Sequence, residues 1–248
     1  MVLGIDVRDD LLGRWLGWFA PPLQPFMVPV DLANSLGLDD DRSRLTPETR
    51  DTFCIYGADA SAIVWLSQQG VRQLPASVRR AQPAPHHWPS SIVAREIEAV
   101  VRFVEKGRRP SRHGEVQPCV WDGIATVLPN ARHLAGTFPE RSGPNCFATV
   151  MAACGVDGVH DLWMLREPFE DWLAEHTTNG GHDLEPGTVL VWRGTDGAVQ
   201  HAAVTIGAGW ALHKPSQGWM SPTKILTVRD LKYGARARGQ HLHRRHLS

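Results

Sequence analysis

The sequence predicts an α+β fold in which helices come first and an antiparallel β-meander follows. Three observations carry this. Val93, Ile97, Val100 and Val104 recur at helical spacing, with charged residues between them. Residues 145–155 read as a cap, a short apolar helix and a glycine stop. From Thr188 onward the pattern changes to short β-prone runs separated by glycine-containing turns.

Taken in order, residues 1–45 mix apolar clusters with Asp and Pro, and Pro21, Pro22, Pro25 and Pro29 prevent a continuous helix. Thr46 and Pro47 read as an N-cap and a first helical residue, after which apolar residues recur through Ala60, Ile63, Val64 and Leu66 to Gly70. Residues 73–90 carry Pro75, Pro83, Pro85 and Pro89 beside His86 and His87, which suits a linker or extended crossing segment. The helix built on Val93 stops at Gly107. Lys106, Arg108, Arg109 and Arg112 then form a basic cluster, read as a solvated helix end facing the negative pole of the dipole. A further helix is expected over 159–176, bent at Pro168. Strands are expected over 188–193, 199–206, 210–213 and 225–228. The division that follows is a mostly helical region of unassigned role at 1–110, a candidate catalytic domain at 111–235 and a basic, His-rich tail at 236–248.

Composition narrows the function. Lys plus Arg and Asp plus Glu both number 26, so the chain has no global field to gather nucleic acid or an anionic membrane. No stretch approaches the roughly 20 apolar residues that span a bilayer. The first residues carry Asp6, Asp9 and Asp10 where a secretory signal carries positive charge. A cytoplasmic protein is expected, with neither membrane nor nucleic acid as partner. Four cysteines are too few for a disulfide scaffold, so each thiol is judged by its surroundings.

Cys146 stands out. If Asn145 caps the helix, Cys146 is its first residue, where unpaired N–H groups and the positive dipole end favour thiolate over thiol. The same N–H groups suit a developing oxyanion. A thiolate needs a base and an orienting group. If residues 207–209 form a three-residue hairpin loop, Ile206 pairs with Trp210 and Ala203 lies opposite His213. His201, Ala203 and His213 then share one sheet face. Two imidazoles meet there, and the small Ala203 leaves room for the Cys146 helix.

This order of Cys, His on a strand about 55 residues later, and a second His on the next strand resembles the NlpC-type cysteine peptidases and amidases of the papain-like superfamily. The strand His201-Ala202-Ala203-Val204-Thr205-Ile206-Gly207-Ala208-Gly209 is similar to the family's base-bearing strand, and Leu212-His213-Lys214-Pro215 to its third element. Pro186-Gly187-Thr188-Val189-Leu190-Val191-Trp192 resembles the strand that precedes them. Asn145-Cys146-Phe147-Ala148 stands where the family usually has Asp-Cys-Ser-Gly. The resemblance covers roughly residues 140–230. It implies a helix packed on an antiparallel sheet, with Cys146 as nucleophile, His201 as general base and acid, and His213 as orienter.

Other residues have two readings. Asn145 is a cap with a possible second role as oxyanion donor. Gln217 and Trp219 either line an acyl pocket or form a plain loop. Cys54, Cys119 and Cys154 read as packing cysteines. His241, His243 and His246 in the tail lack a neighbouring Cys or carboxylate to complete a metal site, so no metal and no cofactor is expected. The tail reads as solvated or partner-binding, with an acidic carrier protein as a candidate. The expected activity is a cysteine-dependent hydrolase that cleaves an amide or peptide bond through a Cys-His-His triad and an acyl-enzyme. The alternatives are an acyltransferase of the same fold, or a non-catalytic binding module.

Overall fold

A computed structural model describes residues 1–248 as two units. One is Val7–Lys106. The other joins Met1–Asp6 to Gly107–Ser248. The boundary thus falls just before Gly107, and the first six residues belong with the C-terminal part. Their attachment is local and tight: the Ser111 N–H donates to the Leu3 carbonyl at 2.8 Å. Gly4 has φ +75°, and the Ser111 carbonyl lies 3.0 Å from where its Cβ would stand. Only glycine satisfies both conditions without strain.

The Val7–Lys106 unit runs α1 (Asp9–Phe19), β1 (Gln24–Pro29), α2 (Val30–Ser35), α3 (Pro47–Phe53), β2 (Ser61–Leu66), α4 (Ala76–Arg80) and α5 (Val93–Glu105). The Thr46 hydroxyl caps α3 by accepting from the Thr49 N–H. The apolar run to Gly70 is not helical: α3 ends at Cys54, whose φ is +53°, and residues 61–66 form β2. The reason is the β-branched and aromatic content of Ile63-Val64-Trp65 and the waiting antiparallel partner β1, with Phe26 opposite Val64. Phe26, Val28, Val64 and Leu66 build one core, and Phe53, Ile55 and Ile63 build another. The 73–90 segment is tied in. The His86 ring stacks on Phe26 with centroids 3.9 Å apart, and His87 stacks on Phe19 at 4.4 Å. In α5, Val100 and Val104 are buried, and Gly107 beyond its end has φ +71°.

The larger unit contains α6 (Pro118–Ile124), α7 (Ala131–Leu134), α8 (Cys146–Ala153), α9 (Arg166–His176), β3 (Thr177–Asn179), β4 (Pro186–Arg193), β5 (Val199–Gly207), β6 (Trp210–His213), β7 (Lys224–Thr227), α10 (Val228–Gly234) and β8 (His241–Leu247). Its six strands form one antiparallel sheet in the order β3-β8-β4-β5-β6-β7. The chain is therefore α+β. Alternation along β4 and β5 feeds two cores. Val189, Val191, Ala202, Val204 and Ile206 pack with Phe147, Val150 and Met151 of α8 and Phe169 of α9. Leu190, Trp192 and Ala203 face the other way, toward Leu231 of α10. A strand covered on both faces reads as a nearly continuous apolar run, as β4 does.

Two expectations change here. The helix expected over 159–176 starts only at Arg166. Pro168 lies in its first turn, where no intrahelical N–H is needed, so it opens the helix and does not bend it. The tail expected to be free is largely strand β8, inserted between β3 and β4. Arg244 donates to Asp183 at 2.9 Å, and Arg245 donates to the Thr177 hydroxyl and to Asn179. Those two cations are engaged within the fold and so are not free for an acidic carrier. No helix is long and apolar enough to cross a membrane.

Candidate active site

Asn145 caps α8 as its sequence suggests. Its side-chain oxygen accepts from the Ala148 N–H at 3.1 Å. Its amide nitrogen donates to the Met164 carbonyl at 2.7 Å. The oxygen and the nitrogen of the amide are thus both engaged in holding the start of α8. Asn145→Ala is expected to destabilise the chain by about 1–2 kcal/mol, the sum of a lost cap and an orphaned carbonyl. Urea unfolding with an unchanged midpoint would show that the cap is dispensable.

Cys146 opens α8, all of whose residues are buried. The residue is 9% exposed. Burial pushes the thiol up to about 11. Backbone hydrogen bonding with Ala202, Phe147 and Cys146 itself works against that rise, and so does the positive charge of Lys214. Cys154 sits at the far end of the helix and is raised to about 12 by burial, as suits a packing thiol. Cys54 and Cys119 are exposed and so are not packed as the sequence suggested.

The hairpin β5–β6 brings the two imidazoles together. Val204 pairs with Leu212 and Thr205 with Ala211, but Gly207, not Ile206, pairs with Trp210. The turn is Ala208-Gly209, with φ +51° and +78°. Positive φ at both central residues is the signature of a type I′ two-residue turn. An irregularity between Thr205 and Gly207 absorbs the extra residue, so the register upstream is the one that places Ala203 against His213. The His201 and His213 rings lie 5.9 Å apart, edge to face at 87°. Burial lowers His201 to about 4. Burial also takes His213 well below the usual imidazole range, with help from the charges of His201, Lys224 and Lys214. Both rings are therefore neutral at pH 7. Neither ring nitrogen of His213 has a hydrogen-bond partner.

The thiol and the rings approach the sheet differently. Ala202, not Ala203, belongs to the core that contains α8 and Cys146. Ala203 packs in the opposite core, and His201, two residues earlier on β5, shares its face beside Trp192 at 5.3 Å. The sulfur meets β5 at the backbone of Ala202, the peptide that follows His201. No hydrogen bond joins Cys146 to His201 or His213.

The segment after β6 is fixed against the chain just before α8. The Gly143 N–H donates to the Gln217 carbonyl at 2.9 Å, and the Trp219 N–H donates to the Ser142 hydroxyl at 3.0 Å. Trp219 is fully buried and acts as a post beneath this loop, not as a pocket wall. Gln217 is half-buried beside it. Lys214 was not singled out from the sequence. It is 1% exposed, and its ammonium donates to the Ser221 carbonyl. The one signal was its place directly after His213, in a strand end otherwise apolar. Lys214 and Pro144 line a cleft of about 480 Å³ that is also lined by the exposed Glu140, Asp157 and Asp161. In the tail, His241 and His243 share one face of β8 and His246 lies on the other, so the three do not converge. Comparison with known proteins finds no matching family model, no matching curated protein and no matching solved structure.

Proposed function

We propose that the larger unit is a papain-like domain of the NlpC type and acts as a cysteine-dependent hydrolase on an amide or peptide bond. The observation that carries this is a capped helix opening on Cys146, whose sulfur meets the β5 backbone one residue after His201, in a hairpin that holds two neutral imidazoles edge to face. In the proposed reaction the His201 ring, which rests beside Trp192 on the face of β5 away from the Cys146 core, turns to take the Cys146 proton, and the sulfur bonds to the carbonyl carbon. The carbonyl electron pair moves to oxygen, which the N–H groups at the start of α8 hold. Collapse breaks the C–N bond, and the leaving amine takes the proton from His201. Water then attacks the acyl-enzyme and restores the thiol. An amine in place of water gives acyl transfer. His213 acts as a positioning residue for His201.

A second reading keeps the fold and drops the chemistry. The burial of Cys146 and the missing hydrogen bond between it and His201 favour a non-catalytic binding module. One experiment separates the two. The full chain is incubated with p-nitrophenyl acetate, and the acetylated residue is mapped by mass spectrometry. The hydrolase predicts a transient acetyl adduct on Cys146 that is absent in Cys146→Ala. Acetylation of the exposed Cys54 and Cys119 with none on Cys146 would leave the binding module.

A further inference from the structure

A second cleft, of about 930 Å³, lies between α10, the turn at Gly209 and Arg109, and its size suits a small-molecule ligand. One side of α10 enters the core through Val228 and Leu231. Arg229, Lys232, Tyr233 and Arg236 follow at i, i+3, i+4 and i+7 and line the cleft. The charges there do not balance. Arg109, Arg229, Lys232 and Arg236 face only Asp183 and Asp230. Both carboxylates are already taken: Asp230 pairs with Arg109, and Asp183 with Lys232 at 2.6 Å and Arg244 at 2.9 Å. Glu185, next in the chain, is exposed and does not line the cleft. Arg229 and Arg236 have no carboxylate partner. In a chain whose net charge is zero, this cleft holds a surplus of two guanidiniums, which stay protonated in proteins. A phosphate monoester carries about −2 near pH 7 and matches that surplus. The cleft also has an apolar part. Tyr233 is 69% exposed and Leu184 is 60% exposed. The Arg109 guanidinium lies over the Tyr233 ring at 5.7 Å from its centroid, and the exposure of the ring leaves it open to a flat group.

We propose that this cleft binds a small phosphate monoester that carries a flat ring, with a nucleoside 5′-monophosphate as its type. Arg229 and Arg236 hold the phosphate, since a guanidinium presents several N–H donors in the plane that phosphate oxygens accept. Tyr233 stacks on the ring, and any base offers a face for that. A nucleic-acid strand fits less well, because its phosphodiesters each carry a single charge, spread along the chain. The site does not depend on the chemistry at Cys146.

The test is calorimetric titration of the full chain at low salt with the four ribonucleoside 5′-monophosphates, their nucleosides, inorganic phosphate and a short oligoribonucleotide without terminal phosphates. At least one monophosphate is expected to bind about tenfold or more tightly than either its nucleoside or inorganic phosphate. Arg229 and Arg236 are exposed, so replacing them leaves the fold intact. Arg229→Gln and Arg236→Gln should each weaken that monophosphate about tenfold, and the double variant more. Tyr233→Ala should weaken the monophosphate without changing the affinity for inorganic phosphate. Arg79→Gln, an exposed arginine of the Val7–Lys106 unit, should change nothing. No monophosphate binding at millimolar concentration overturns the proposal. Binding no tighter than that of inorganic phosphate, or undiminished in the Arg229→Gln/Arg236→Gln chain, does the same. Tighter binding of the oligoribonucleotide than of every monophosphate would also overturn it, and would assign the surface to a nucleic acid.

Discussion

Lowering the pH from 7 to 5 is expected to weaken the folded chain by about 2 kcal/mol through His201 alone, and by about 3 kcal/mol by pH 4. Burial holds His201 near 4 in the fold, against an ordinary value of 6.5. The unfolded chain therefore binds a proton below 6.5 that the native state refuses until pH 4. The stabilisation is fully present above 6.5 and is lost as pH falls through that window. His213 adds to the loss with the same sign, since burial lowers it as well. His86 and His87 do so in the Val7–Lys106 unit, again chiefly through burial. The carboxylates belong to a lower window. Asp40 is held low by the Ile63 N–H, and Asp230 by the Thr227 hydroxyl and Arg109, so they act only once pH falls below their ordinary range. Urea midpoints measured at half-unit steps from pH 7.5 to 2.5 separate the two windows. Flat stability between pH 7 and 5 would mean that the two imidazoles are solvated or paired, and the buried pair would have to be abandoned.

These histidines show where sequence reading works and where it stops. Their meeting was legible because it depends on alternation along β5 and β6 and on one turn, all local properties. The turn itself was misread by one residue, yet the irregularity before Gly207 restored the register. The start of α8 was legible for the same local reason: Asn145 is a cap whose oxygen needs only the N–H three residues ahead. Pairing between distant segments left a weaker trace. β1 and β2 hide among prolines and a run of apolar residues that also suits a helix. β8 reads as a basic tail, because the partners of Arg244 and Arg245 are Asp183, Thr177 and Asn179, some 60 residues away. Lys214 lay beyond reach of any composition rule, since lysines are almost never fully buried. Which face α8 would cover also escaped, because Ala202 and Ala203 are identical in sequence and differ only in the core they enter.

His201→Ala is expected to slow acylation of Cys146 by about 10²–10⁴-fold while leaving its alkylation by iodoacetamide nearly unchanged. The resting site explains the split. With the thiol near 11 and the His201 imidazole near 4, moving the proton between them costs about 10 kcal/mol. Attraction within the resulting ion pair regains only about 4 kcal/mol at a separation of about 4 Å in a protein-like dielectric. A stored thiolate–imidazolium pair is therefore not the resting state. In the proposed reaction the proton moves as the sulfur attacks, when the charge would pass to an oxygen held by the α8 N–H groups. The base then matters to acylation, which develops that charge, and not to alkylation, which only samples the small thiolate fraction present. Alkylation of Cys146 should accordingly rise about tenfold per pH unit from pH 6 to 10, following thiolate formation toward about 11. An alkylation rate that plateaus between pH 5 and 8 would instead reveal a preformed ion pair. In that case the ring of His201 turns toward the sulfur without any substrate, and His201→Ala would slow both reactions alike.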